Sequence, residues 1–78
     1  MKIKLNMVDD ISCFIKGCEF YNAPIYVKQG HQTVNAKSQL GVYSLNLAKP
    51  IEVEIDTENK NLKEDFYSFV RKWEVANE

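Results

Sequence analysis

The sequence is sparing with the residues that many kinds of chemistry require. Three of its 78 residues are glycine and one is histidine. There is no glycine-rich phosphate loop, and no cysteine, serine or lysine has a base at motif spacing. Nothing in it reads as an enzyme, and no cofactor or metal site is expected. Cysteine occurs twice, as Cys13 and Cys18. On a helix these lie about 140° apart, which suits neither a local disulfide nor a shared metal ion, so both are expected as reduced thiols serving as small core residues.

Apolar runs are short as well. None approaches the length needed to cross a bilayer, and the first residues, MKIKLNMVDD, contain neither a signal-type apolar region nor a cleavage site. The expectation is a cytoplasmic protein without membrane insertion. Basic runs are missing too. Ten basic residues against eleven acidic give a net charge of −1, which argues against a nucleic-acid partner. No repeat, linker or low-complexity segment interrupts the chain.

What is present is ordinary for a globular fold: 45% hydrophobic and 27% charged residues, enough for one modest core and one domain over residues 1–78. Lys2 to Met7 alternate, with Ile3, Leu5 and Met7 on one face, which predicts a first strand. Asp9 and Asp10 then cap a helix from about Asp10 to Tyr21, with Ile11, Phe14, Ile15 and Cys18 in one stripe. Gly17 weakens that helix, and Asn22, Ala23 and Pro24 end it. Ile25–Val27 and Thr33–Asn35 favour strands joined by a turn at Gln29, Gly30 and His31. Ile51, Val53 and Ile55 alternate with Glu52, Glu54 and Asp56, the cleanest half-buried strand in the chain. After a polar connection, Asn61 with Glu64 forms a capping-box-like start to a last helix. Its stripe of Leu62, Phe66, Phe69, Val70 and Trp73 makes it the main core helix.

Four strands with one face to cover and three helices with one apolar stripe each predict a two-layer α+β domain, an open-faced β-sandwich of order β-α-β-β-α-β-α. A right-handed crossover from strand one through the first helix makes strand two parallel to strand one. The gap between them is filled by strand four, antiparallel to both, so the predicted sheet order is 1-4-2-3.

The segment Val34–Leu47 packs a strand end, a cap and a short helix into fourteen residues. Ser38 reads as the N-cap and Gln39 as the first helical residue. Val42 and Leu45 fall on one side of this helix, while Leu40, Tyr43 and Leu47 fall on the other. A sheet covers only one side. The second either meets another loop of the chain or stays on the surface as a partner-binding patch of Gln39, Leu40, Tyr43 and Leu47.

Val34, Asn35, Ala36, Lys37 and Ser38, followed by Gly41, Val42, Ser44 and Leu45, resemble the signature around the regulatory serine of HPr, the small phosphocarrier of the bacterial sugar phosphotransferase system. The resemblance implies an HPr-like fold, in agreement with the element order. In that family a histidine between strand one and the first helix carries the phosphoryl group, followed closely by an arginine and a proline. This sequence has Met7, Val8, Asp9 and Asp10 there. Aligned on Ser38 without gaps, Asp9 stands at the arginine position and Asp10 at the proline position. Two carboxylates would repel a phosphoryl group where the family places a cation, so transfer from phosphoenolpyruvate is not expected.

The resemblance implies that Ser38 is a candidate for regulatory phosphorylation by an HPr kinase, with a catabolite-control-type regulator as the partner. The catabolite-repression HPr type also lacks the histidine and keeps the serine. A plain capping role for Ser38 is the alternative. His31, alone at the hairpin tip, is a candidate non-standard phosphoryl acceptor or simply an exposed turn residue. The main expectation is a regulatory or adaptor protein. The alternatives are a phosphocarrier using His31 and a divergent paralogue without phosphorylation.

Overall fold

A computed structural model describes residues 1–75. The elements are β1 (Lys2–Ile3), α1 (Val8–Cys18), β2 (Ile25–Gln29), β3 (Gln32–Asn35), α2 (Gln39–Tyr43), β4 (Ile51–Ile55) and α3 (Lys60–Val70), the last extended by a 3-10 turn at Arg71–Trp73. The strands form one sheet in the order β1-β4-β2-β3, and every neighbouring pair is antiparallel. This is the predicted α+β open-faced sandwich, with its helices on one face.

The alternation in β4 sets the sheet's two faces. Ile51 stands opposite Ile3, while Val53 and Ile55 stand opposite Val27 and Ile25. All six are buried. The other face is wet, and there Lys28 Nζ meets Glu54 Oε1 at 3.0 Å. Over the dry face α1 lays Ile11, Phe14, Ile15 and Cys18, and α3 lays Phe66 and Val70. Trp73 packs edge-on against Phe14, with ring centroids 6.1 Å apart. Burying such side chains contributes about 1.5 to 3 kcal/mol each before ordering entropy is counted.

Several boundaries differ from the sequence-based expectation. The first strand stops at Ile3 rather than Met7. Lys4 N donates to Trp73 O at 2.9 Å and Val75 N to Lys2 O at 3.1 Å, so the C-terminal segment lines the other edge of β1, while pairing with β4 ends at Ile3 because β4 begins opposite it, at Ile51. Leu5 still reaches the core, but Met7 is 65% exposed. Helix α1 begins at Val8 and ends at Cys18. Met7 occupies its N-cap position without a side-chain bond, and Asp9 and Asp10 lie in the first turn, where they act on the helix dipole and not as caps. Cys18 is a core residue as expected, whereas Cys13 is exposed.

The cap of α3 is Asn59, whose side chain accepts from Leu62 N at 3.1 Å, and Asn61 is already helical. Gly17 has a packing reason. A Cβ there would run into the Phe69 ring, which is hemmed by Tyr21, Phe66 and Trp73. The glycine lets α3 approach α1 closely.

Two substitutions test these placements. Gly17→Ala should destabilise the protein by about 1–3 kcal/mol in urea titration through overpacking, although helix propensity alone would favour alanine by about 1 kcal/mol. Asn59→Ala should cost about 1 kcal/mol and Asn61→Ala close to nothing.

Candidate docking face

The candidate site is built on α2. Ser38 has extended backbone angles, φ −97 and ψ 113, and its Oγ accepts from Gly41 N at 3.1 Å, the expected N-cap. Gly41 sits against β3: a Cβ there would lie 3.2 Å from Val34 Cβ and 3.3 Å from Ser38 Oγ. This close approach seats α2 on the strand, with Val42 and Leu45 pointing into the core. The far side is open. Leu40 is 86% exposed and Tyr43 44% exposed, and Gln39 is exposed beside them. Leu47 does not join them. The helix ends at Tyr43, and Leu47, beyond it, is half-buried against the core.

Next to α2, the first helix completes a cleft. Ser12, Ile15 and Lys16 of α1 face Gln39 and Tyr43 of α2 across it. Val8, 71% exposed, stands one turn before Ser12. The ion pairs among the described residues are Met1 ammonium to Glu52 at 2.7 Å and Lys28 to Glu54 at 3.0 Å. Neither involves Asp9, Asp10 or Lys16.

Two contacts, neither expected from the sequence, hold α2 in place. Lys37 Nζ donates to Tyr21 O at 2.7 Å, tying the segment before Ser38 to the turn after α1. Gln29 acts as a clamp: its Oε1 accepts from Asn46 N at 2.8 Å and its Nε2 donates to Asn46 O at 2.7 Å. Gln29 thereby imitates one rung of a sheet ladder and fixes the loop leaving α2. A strand-end glutamine gives no such signal in a sequence, because its partner is 17 residues away.

The hairpin tip is separate from this face. Gly30 has φ 59, the left-handed region that glycine enters without strain, and His31 beside it is exposed. The tip lies at the end of the sheet where β1 also finishes, but β4 intervenes between β1 and β2, so the two are about 10 Å or more apart. His31 and the end of β1 therefore do not form one site, and β3 carries the chain from the tip to the Ile25 end of β2 before Ser38 is reached.

Two groups hold their protons unusually tightly. Burial pushes the Cys18 thiol from 9.0 up to about 12, with the Lys37 charge pulling it down and Glu19 pushing it up. Burial, together with Asp65, pushes the Tyr21 phenol from 10.0 up to about 12. Its hydroxyl donates to Asp65 O at 3.3 Å. Cys18 is thus an inert core thiol, not a nucleophile.

No family model matches the chain, and no curated protein matches it. The strand order with helices on one face nevertheless defines its class, the open-faced β-sandwich. Within that class the fold is HPr-like. HPr-C-His from Thermoanaerobacter tengcongensis superposes with a TM-score of 0.73 at 15% identity, over 92% of this chain and 90% of that one. Crh, the Bacillus subtilis catabolite repression containing protein, gives a TM-score of 0.64 at 16% identity, over 95% of this chain and 88% of that one. The Crh crystal structure reveals a swapping domain in an intertwined dimer. At these identities the likeness is one of fold.

Gln29→Ala should lower stability by about 1–2 kcal/mol and speed hydrogen exchange at the Asn46 amide, read by NMR. The raised pKa values also set an alkaline limit. Folded Cys18 and Tyr21 keep protons that the unfolded chain loses first, so their stabilising contribution is complete below pH 9.0 and is lost as pH rises toward about 12. Urea midpoints measured across that interval should fall, and the fall should be shallower in Cys18→Ala.

Proposed function

We propose that this chain is an HPr-like regulatory or adaptor protein, related to the phosphoenolpyruvate-dependent sugar phosphotransferase system, that binds a protein partner through α2. It is read as one domain over residues 1–78, acting in the cytoplasm, and not as an enzyme. The observation that carries the reading is the exposure of Leu40 and Tyr43 on a helix whose other side is spent on the core. Apolar side chains exposed together on a rigid element favour a partner that removes them from water.

The entry to α1 supports the regulatory side of the reading. A carrier of the HPr kind would need its histidine between β1 and α1, and the residues there are Lys4, Leu5, Asn6 and Met7. Asp9 in the first helical turn adds negative charge, which disfavours a phosphoryl group at that end of the helix. Ser38 stands at the edge of the α2 patch, so a phosphate on it would change the charge the partner reads. The HPr-like regulators suggest an HPr kinase and a catabolite-control-type regulator as partners.

The test supplies both phosphoryl donors. With ATP and an HPr kinase, the expected product is one phosphate mapped to Ser38 by mass spectrometry. With phosphoenolpyruvate and enzyme I, the expected result is no label on His31 or elsewhere. In pull-downs, Tyr43→Glu should keep the fold and lose the partner. If Tyr43→Glu captures the same partner as the wild type, the docking reading is wrong, and labelling of His31 would replace it with a carrier role.

A further inference from the structure

The face shared by α1 and α2 has a charge pattern that matches itself. At about 100° per residue, Val8, Asp9, Ile15 and Lys16 all lie within about 60° of Ser12 around α1. Val8 and Ile15 fall on the side toward α2, and Asp9 and Lys16 fall on the other side of Ser12. Asp9 and Lys16 are two turns apart, about 10 Å along the helix. Both lie outside the ion pairs of the described residues. Ser12, between them, is small.

We propose that this face binds a second copy of the chain, forming a two-fold symmetric dimer in which Asp9 of each copy pairs with Lys16 of the other. The proposal rests on the reading of the face as a docking surface and names one occupant for it. A two-fold axis lying across α1 at the level of Ser12 and Cys13 sets the two α1 helices antiparallel and exchanges positions 9 and 16. Both ion pairs then form on one flank of the helix pair, one at either end.

On the other side, the same rotation brings Val8 of one copy over the Ile15 and Lys16 end of α1 in the other. That end borders the cleft lined by Gln39 and Tyr43. An apolar side chain that is 71% exposed thus gains a receptor, and the Leu40 and Tyr43 surfaces of the two copies gather beside it. One operation covers the exposed apolar groups and satisfies both charges, as an isologous interface requires. A contact of this kind exchanges no element between the two copies.

Sedimentation equilibrium on the wild type, between about 10 μM and 1 mM, should show a reversible monomer–dimer equilibrium that weakens as salt is raised. Asp9→Lys and Lys16→Glu, each alone, place like charges opposite one another twice and should weaken association at least about tenfold. An equimolar mixture of those two variants should recover the dimer. The lysine introduced into one chain then meets the glutamate introduced into the other, while the first chain's unaltered Lys16 meets the second chain's unaltered Asp9. Circular dichroism confirms that each variant is folded, and the mixture needs no chain carrying both changes. Leu40→Glu should also weaken the dimer.

A wild type that is monomeric throughout the range overturns the proposal. So do single variants that associate as well as the wild type, and so does a mixture that stays monomeric. Whether the face also takes a different protein is read separately, from the Tyr43→Glu pull-down.

Discussion

The dry face of β4 is the constraint on which the structure depends. Ile51, Val53 and Ile55 form the middle of the core, and the backbone of β4 joins β1, which precedes it by two helices and a hairpin, to β2, the first strand of that hairpin. A strand in that position must be half-buried and paired on both edges, and its strict alternation meets both demands. With β4 in the middle, the crossover through α1 is forced onto the side where α3 also lies. Two long helices then occupy most of the available cover. The five-residue α2 receives only the corner over β3, and its second apolar side is left without a layer to meet.

That shortage of cover explains why α2 is held so firmly despite its length. A helix this short is not stable alone. Its start is closed by Ser38 and its underside by Val42. The Gly41 contact allows it to sit close to Val34, and its exit is gripped by Gln29. Stability here comes from tertiary contacts. The backbone that carries the exposed Leu40 is therefore held in place.

The parts of the fold legible in the sequence were those written in periodicity: the stripe of α1, the alternation of β4 and the Ser38 cap. From these the strand order followed through the handedness of one crossover. Less legible was anything decided by a distant partner. The strand predicted to reach Met7 stops at Ile3 because its partner β4 begins only at Ile51, opposite Ile3, directly after Pro50. Asn59 and Asn61 are both plausible caps, and only the arrival of the chain from β4 selects the first. Gly17 looked like a weakness in a helix and is a seat for Phe69. Of the candidate patch, Gln39, Leu40 and Tyr43 were readable from helical spacing, while Leu47 was misplaced because the spacing was carried past the end of the helix.

The tether from Lys37 to the carbonyl of Tyr21 has a thermodynamic consequence. It joins the approach to α2 to the exit from α1, and so limits how far the two helices, the walls of the cleft, can separate. A partner of the kind proposed would meet a surface with less backbone left to order on contact, so even a small interface would support measurable affinity. Removing the ammonium group would leave each wall intact but free to drift, and the loss would appear in binding entropy more than in the number of contacts made.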